Sequence, residues 1–202
     1  MDSRSPYPEW AHQAWLAFLA LAVGVLSFVF ACATPFAAFG VLAAMTLSRT
    51  DAIRITIALW MANQVIGYGI LGYPVTVNSV SWGLAIGGAA VSSTIVARLI
   101  ISRLQTARGL TRAVVALGGT FAMYEIALFT VAVAGLGGTG SFAGPIVGRI
   151  LVINAAALVG LHALYRIGVA VGISRRPAVA TTATARPASM ISELPSAARR
   201  MQ

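Results

Sequence analysis

The sequence predicts an all-α integral membrane protein with six transmembrane helices and both termini in the cytoplasm. Three observations carry this. Of the 202 residues, 58% are hydrophobic and only 9% are charged, against roughly 25% charged in a soluble domain. The chain divides into six apolar runs, most of them close to the ~20 residues that a span needs. The arginines occupy alternate connections between these runs, as cytoplasm-facing loops do.

A short segment, 1–10, precedes the six-helix domain, 11–172. The first run covers Ala11 to Ala31 and closes at Thr34-Pro35. Small residues after an apolar stretch in FVFACATP resemble a cleavage site, but the segment before it holds Arg4 against Asp2 and Glu9, and Phe30 is bulky. A retained helix is the better reading. The second run, Phe36 to Leu47, is too short for an ideal span and reads as tilted, partly interfacial or extended by its flanks. The third, Ile53 to Leu71, stops at Gly72-Tyr73-Pro74. The fourth extends from Val80 to Ile101, the fifth from Ala113 to Leu136, and the sixth from Ile146 to about Val171. The remainder, 173–202, is rich in Ala, Thr, Ser and Pro and reads as a disordered cytoplasmic tail.

All 14 basic residues are arginine, and the formal charge is +9. Arg49 and Arg54 lie between runs two and three. Arg103, Arg108 and Arg112 lie between four and five, and Arg175 and Arg176 follow the sixth. The connections CATP, GYPVTVNS and GLGGTGSFAG are uncharged. This alternation accounts for the charge as topology, and without a basic stripe interleaved with aromatics it gives no nucleic-acid surface. One cysteine excludes an internal disulfide and a cysteine-based metal cluster. HExxH, paired carboxylates within a span, a nucleophile elbow and Walker sequences are all missing, so the chain reads as no enzyme and carries no ATPase of its own.

Polar side chains within spans are costly and usually face the protein interior or a water-filled cavity. In ANQVIGYGILGYP, residues 62–74, Trp60, Gln64 and Tyr68 share one helical face with Asn63 and Gly67 beside it. Gln64 should lie roughly 10–14 Å below the outer end of the third helix. Tyr73, Asn78 and Trp82 belong to the outer mouth, and Arg149 enters the sixth helix from the same side, with Asn154 deeper. These residues are the expected lining of an outward-facing small-molecule pocket. The amides could equally bridge helices, and the aromatics could form an interfacial belt. Gly83-x-x-x-Gly87 and Gly168-x-x-x-Gly172 read as helix packing. Glu125 lies near mid-depth in the fifth run. It must be protonated or paired there, with Tyr124 and Asn154 as partners, in a structural or a proton-coupling role. His162 reads as structural.

CATPFAAFGVLAAMTLSR, ANQVIGYGILGYP with NSVSWGLAIG, FAMYEIALF and RILVINAAALVGL together resemble the BtuM-like cobalamin transporters, solitary substrate-binding (S) components of the energy-coupling-factor type. The likeness spans roughly residues 11 to 170. It implies a multi-pass protein of the bacterial inner membrane, surrounded by lipid, with cobalamin or a related corrinoid as cargo rather than as a cofactor. It carries Asn63, Gln64, Tyr68 and Tyr73 to the pocket wall and Arg149 to the rim. It also implies docking on an energy-coupling transmembrane subunit with ATPases, for which Ala20 and Gly24 are the nearest small-residue pair. Members can ligate cobalt through a cysteine near the outer end of the third helix. Here no cysteine lies between Asn63 and Pro74, and Cys32 is the weak remaining candidate. Two other readings stay open: another small-solute permease coupled to protons through Glu125, and a non-transporting membrane scaffold or assembly protein.

Overall fold

The computed structural model describes residues 10, 13–18, 34–106 and 109–171, and every regular element among them is helical. Within the first run, 13–18 form a helical stretch, α1, whose buried Trp15 meets the edge of Tyr165 at 5.7 Å. The later runs follow as α2 (Phe36–Thr46), α3 (Arg49–Gln64), α4 (Val77–Arg103), α5 (Gly109–Val131) and α6 (Gly144–Ala170). Two helices end in π-helical turns, α3 through Val65–Ile70 and α5 through Ala132–Leu136. Among the described residues, three helical segments are long and apolar enough to cross a membrane: Val77–Arg103, Gly109–Leu136 and Gly144–Ala170. Ala20, Gly24, Cys32 and the tail 173–202 lie outside the described residues.

Local signals explain the boundaries. Ser48 caps α3 by accepting from Asp51 N–H, and its hydroxyl donates back to Asp51 Oδ2 at 2.7 Å, so SRTD starts the helix earlier than the apolar run does. Thr76 does the same for α4 through Ser79 N–H. Pro145 sits in the first turn of α6, where its missing N–H costs nothing.

The short second run forms a short apolar helix enclosed by its neighbours. At ~1.5 Å per residue, α2 is about 16 Å long, half of a ~30 Å hydrocarbon layer. It is buried from Phe36 through Ala43 and packs against α3, α4, α5 and α6. Thr34 and Pro35, expected in an outer loop, are buried with it. They lie at the depth of Asn63 and Asn154, inside the bundle.

A helix ending inside a bundle leaves backbone groups to satisfy away from water. Three N–H groups at this end have partners: Phe36 donates to Thr34 O, Phe39 to Pro35 O, and Ala38 to Asn154 Oδ1 at 3.1 Å. The Asn154 amide also donates to Ile150 O at 3.0 Å. At the other end, Arg98 Nη1 of α4 donates to Leu47 O at 2.9 Å, a cation at a helix C-terminus. The half-helix is thus held at both ends by side chains of other helices.

Candidate functional site

The two ends of the bundle differ in chemistry. One carries arginines. The other holds the uncharged connections, both π-helical turns, and every positive-φ glycine among the described residues: Gly72, Gly135, Gly137 and Gly138. Extra residues per turn are frequent at functional sites, and irregular backbone at membrane depth is tolerated only when buried in protein or lining a cavity.

ANQVIGYGILGYP folds back on itself here. The π turn bonds Leu71 N–H to Ile66 O at 2.9 Å, the chain reverses at Gly72, and Tyr73 N–H donates to Gly67 O at 3.0 Å. The Tyr73 ring then lies against Gly67. A Cβ at Gly67 would stand 2.9 Å from Tyr73 Cδ2, so this return requires glycine. Tyr68 meets Tyr73 edge-on at 6.4 Å and shares a hydrogen bond with Ser79 Oγ at 3.1 Å. Asn78 of α4 donates to Leu136 O at 2.9 Å, so the start of α4 touches both π turns, the first through Ser79 and the second through Asn78. Half-buried Trp82 lies beside Gly138. Tyr68, Tyr73, Asn78 and Trp82 therefore gather at this end.

The other predicted residues divide differently. Asn63 donates to Thr34 Oγ1 at 2.7 Å and accepts from Gln64 Nε2 at 3.4 Å. The Trp60–Gln64 face packs on α4, with Trp60 Nε1 donating to Gly83 O at 2.7 Å, Gln64 beside Gly83, and the Trp60 ring over Gly87. The glycine pair acts in packing, as its spacing suggested. Asn154 is 2% exposed and serves as the cap of α2. Its partners are therefore Ala38 and Ile150, and no hydrogen bond joins it to Glu125, because the orphan amide of a buried helix end claims it first. Glu125 is half-buried and forms no hydrogen bond or ion pair among the described residues; the neighbouring Tyr124 ring packs on Phe36 instead. Arg149 is exposed.

At the arginine-bearing end lies a feature the sequence reading passed over, a cavity of about 1160 Å³ lined by Arg49, Arg98, Arg112, Arg166 and His162 among others. His162, expected to be structural, is exposed there. The available signal was two arginines, 98 and 166, set inside the last turns of apolar helices.

In comparisons with known proteins, no family model, curated protein or solved structure matched the chain.

Proposed function

We propose that the chain is a substrate-binding component for vitamin uptake in a bacterial inner membrane, taking cobalamin or a related corrinoid at its uncharged end. The observation that carries this is the gathering of Tyr68, Tyr73, Asn78 and Trp82 around two π-helical turns, each joined by a hydrogen bond to the start of α4. A corrinoid is a broad apolar ring fringed with amides, and aromatic faces beside exposed amide and backbone groups match both parts of it. The Trp60–Gln64 level is closed by α4, so the site is shallow, with Gln64 supporting it from below. The arginine-bearing end is cytoplasmic in this reading, the tail lies on the same side, and an energy-coupling subunit supplies the ATPase.

Purification from cells grown with cobalamin should give a protein whose visible spectrum carries the corrinoid without thiolate ligation. Tyr68→Ala should weaken binding through lost packing, and Gln64→Ala by roughly 1–3 kcal/mol through an unpaired buried amide. Cys32→Ser should leave binding intact. Loss of binding in Cys32→Ser, with both other variants unaffected, would place the pocket on the wrong helix.

One observation favours the scaffold reading, namely the Trp60–Gln64 face lying against α4 instead of a cavity. A wild-type protein that binds no corrinoid at any concentration would decide for it.

The orientation has its own test. Reporter fusions at Gly138 and at Thr106 should report opposite sides of the membrane. Matching answers would show that the one helical segment between them, Gly109–Leu136, does not cross the membrane.

A further inference from the structure

We infer that the cavity at the arginine-bearing end is a binding site for an anionic phospholipid, its phosphodiester held by guanidinium groups and its acyl chains leaving along an apolar wall. Four helices bring cations to one space. Arg49 comes from the start of α3, Arg98 from the last turns of α4, Arg112 from the start of α5, and Arg166 from the last turns of α6. None of the lining residues is acidic among the described residues. Four of the chain's 14 basic residues thus line one cavity, a concentration of positive charge that favours an anion. Guanidinium forks match phosphate oxygens in pairs.

The apolar part of the lining selects a lipid over a soluble phosphate. Met45, Ile95 and Leu99 line the same cavity, and the last two belong to a segment long and apolar enough to span the membrane. A volume of about 1160 Å³ is far more than an inorganic phosphate fills. Phosphate-binding cations above an apolar wall at the membrane boundary are the two halves of a phospholipid, and basic pockets between transmembrane helices hold such headgroups on the cytoplasmic side. A soluble acidic peptide has no use for the apolar half. The inference is independent of the corrinoid reading, since it concerns the opposite end of the bundle.

The test uses the full chain in nanodiscs, with native mass spectrometry counting retained lipids in phosphatidylcholine bilayers doped with phosphatidylglycerol. Wild type should retain phosphatidylglycerol selectively. Arg49→Gln/Arg166→Gln should lower that retention roughly ten-fold, each cation near an anionic lipid contributing a factor of several. Arg54→Gln/Arg103→Gln, at the same end but outside the cavity, should leave it unchanged. Equal retention of the two lipids by wild type overturns the inference, whatever the variants do, and so does an equal loss in both double variants, which would mean a diffuse basic skirt. Glycerol phosphate displacing the lipid at equal concentration would make the ligand a free phosphate ester. Binding of oligoglutamate to wild type, lost in Arg49→Gln/Arg166→Gln while lipid retention stays level, would make it a protein segment. Either result rejects the lipid.

Discussion

Replacing Gly87 with leucine should destabilise the protein by about 2–3 kcal/mol, the upper part of the range for overpacking a tight contact. The Trp60 ring covers this glycine so closely that even a Cβ would stand 2.6 Å from Cε2 and 2.8 Å from Cδ2 and Nε1. Ordinarily a side chain would swing aside. Here the indole donates to Gly83 O at 2.7 Å, one turn along the same helix, so moving the ring breaks a hydrogen bond where little water can replace it. The substitution must therefore separate α3 from α4 or expel the indole. The comparison is Gly88→Leu, next in the chain, where a Cβ meets nothing within 4 Å; it should change stability by less than about 0.5 kcal/mol. Reversible unfolding in mixed detergent micelles measures both. Equal losses at Gly87 and Gly88 would overturn the indole contact as the cause, since leucine is the better helix former at either position. Adding Trp60→Ala should recover part of the Gly87→Leu loss, because the two residues touch and their effects are coupled.

What the sequence disclosed about this contact, and what it withheld, follows from the physics of each signal. Spacing of four placed Gly83 and Gly87 on one face of α4 and Trp60, Gln64 and Tyr68 on one face of α3, so both halves of the packing were legible. Their pairing was not, because a polar face looks the same whether it borders a cavity or a glycine surface. The runs that became α4, α5 and α6 were visible because length and apolarity are local properties. The shortness of α2 was visible too, but not its burial, since the groups that make a buried helix end tolerable come from elsewhere. Asn154 reaches Ala38 across 116 positions of sequence, and Arg98 reaches Leu47 across 51. Arg98 and Arg166 lie inside apolar runs and entered the sequence reading only as part of the total charge, which hid that they converge. At the uncharged end, Gly72 and Tyr73 marked the end of the third run correctly. The π turn before them had no signature beyond its two glycines, Gly67 and Gly69.

Asn154→Leu should cost about 2–3 kcal/mol, and it tests whether the half-helix α2 depends on a cap supplied by α6. Leucine keeps asparagine's branch at Cγ but is bulkier, so some overpacking at this buried site adds to the loss of hydrogen bonds. Two backbone groups are affected. Ala38 N–H loses its acceptor at 3.1 Å, and Ile150 O loses an extra donor at 3.0 Å. The second loss is minor, because a carbonyl inside a helix keeps its backbone partner. The first is the expensive one. Ala38 lies in the first turn of α2, where no earlier helical carbonyl faces its N–H, and it is wholly buried, so water cannot substitute. An unsatisfied buried donor costs about 1–3 kcal/mol, and more in a hydrocarbon surrounding. Asn154→Asp keeps an acceptor oxygen for Ala38, and at a pH where the carboxyl is protonated its O–H can still donate to Ile150 O, so it should recover most of the loss. If Asn154→Leu and Asn154→Asp were equally damaging there, the acceptor offered to Ala38 would not be what sets the cost. If Asn154→Leu cost less than about 0.5 kcal/mol, α2 would not depend on α6 for its N-terminus, and the reading of Asn154 as a structural residue instead of a ligand contact would fall with it.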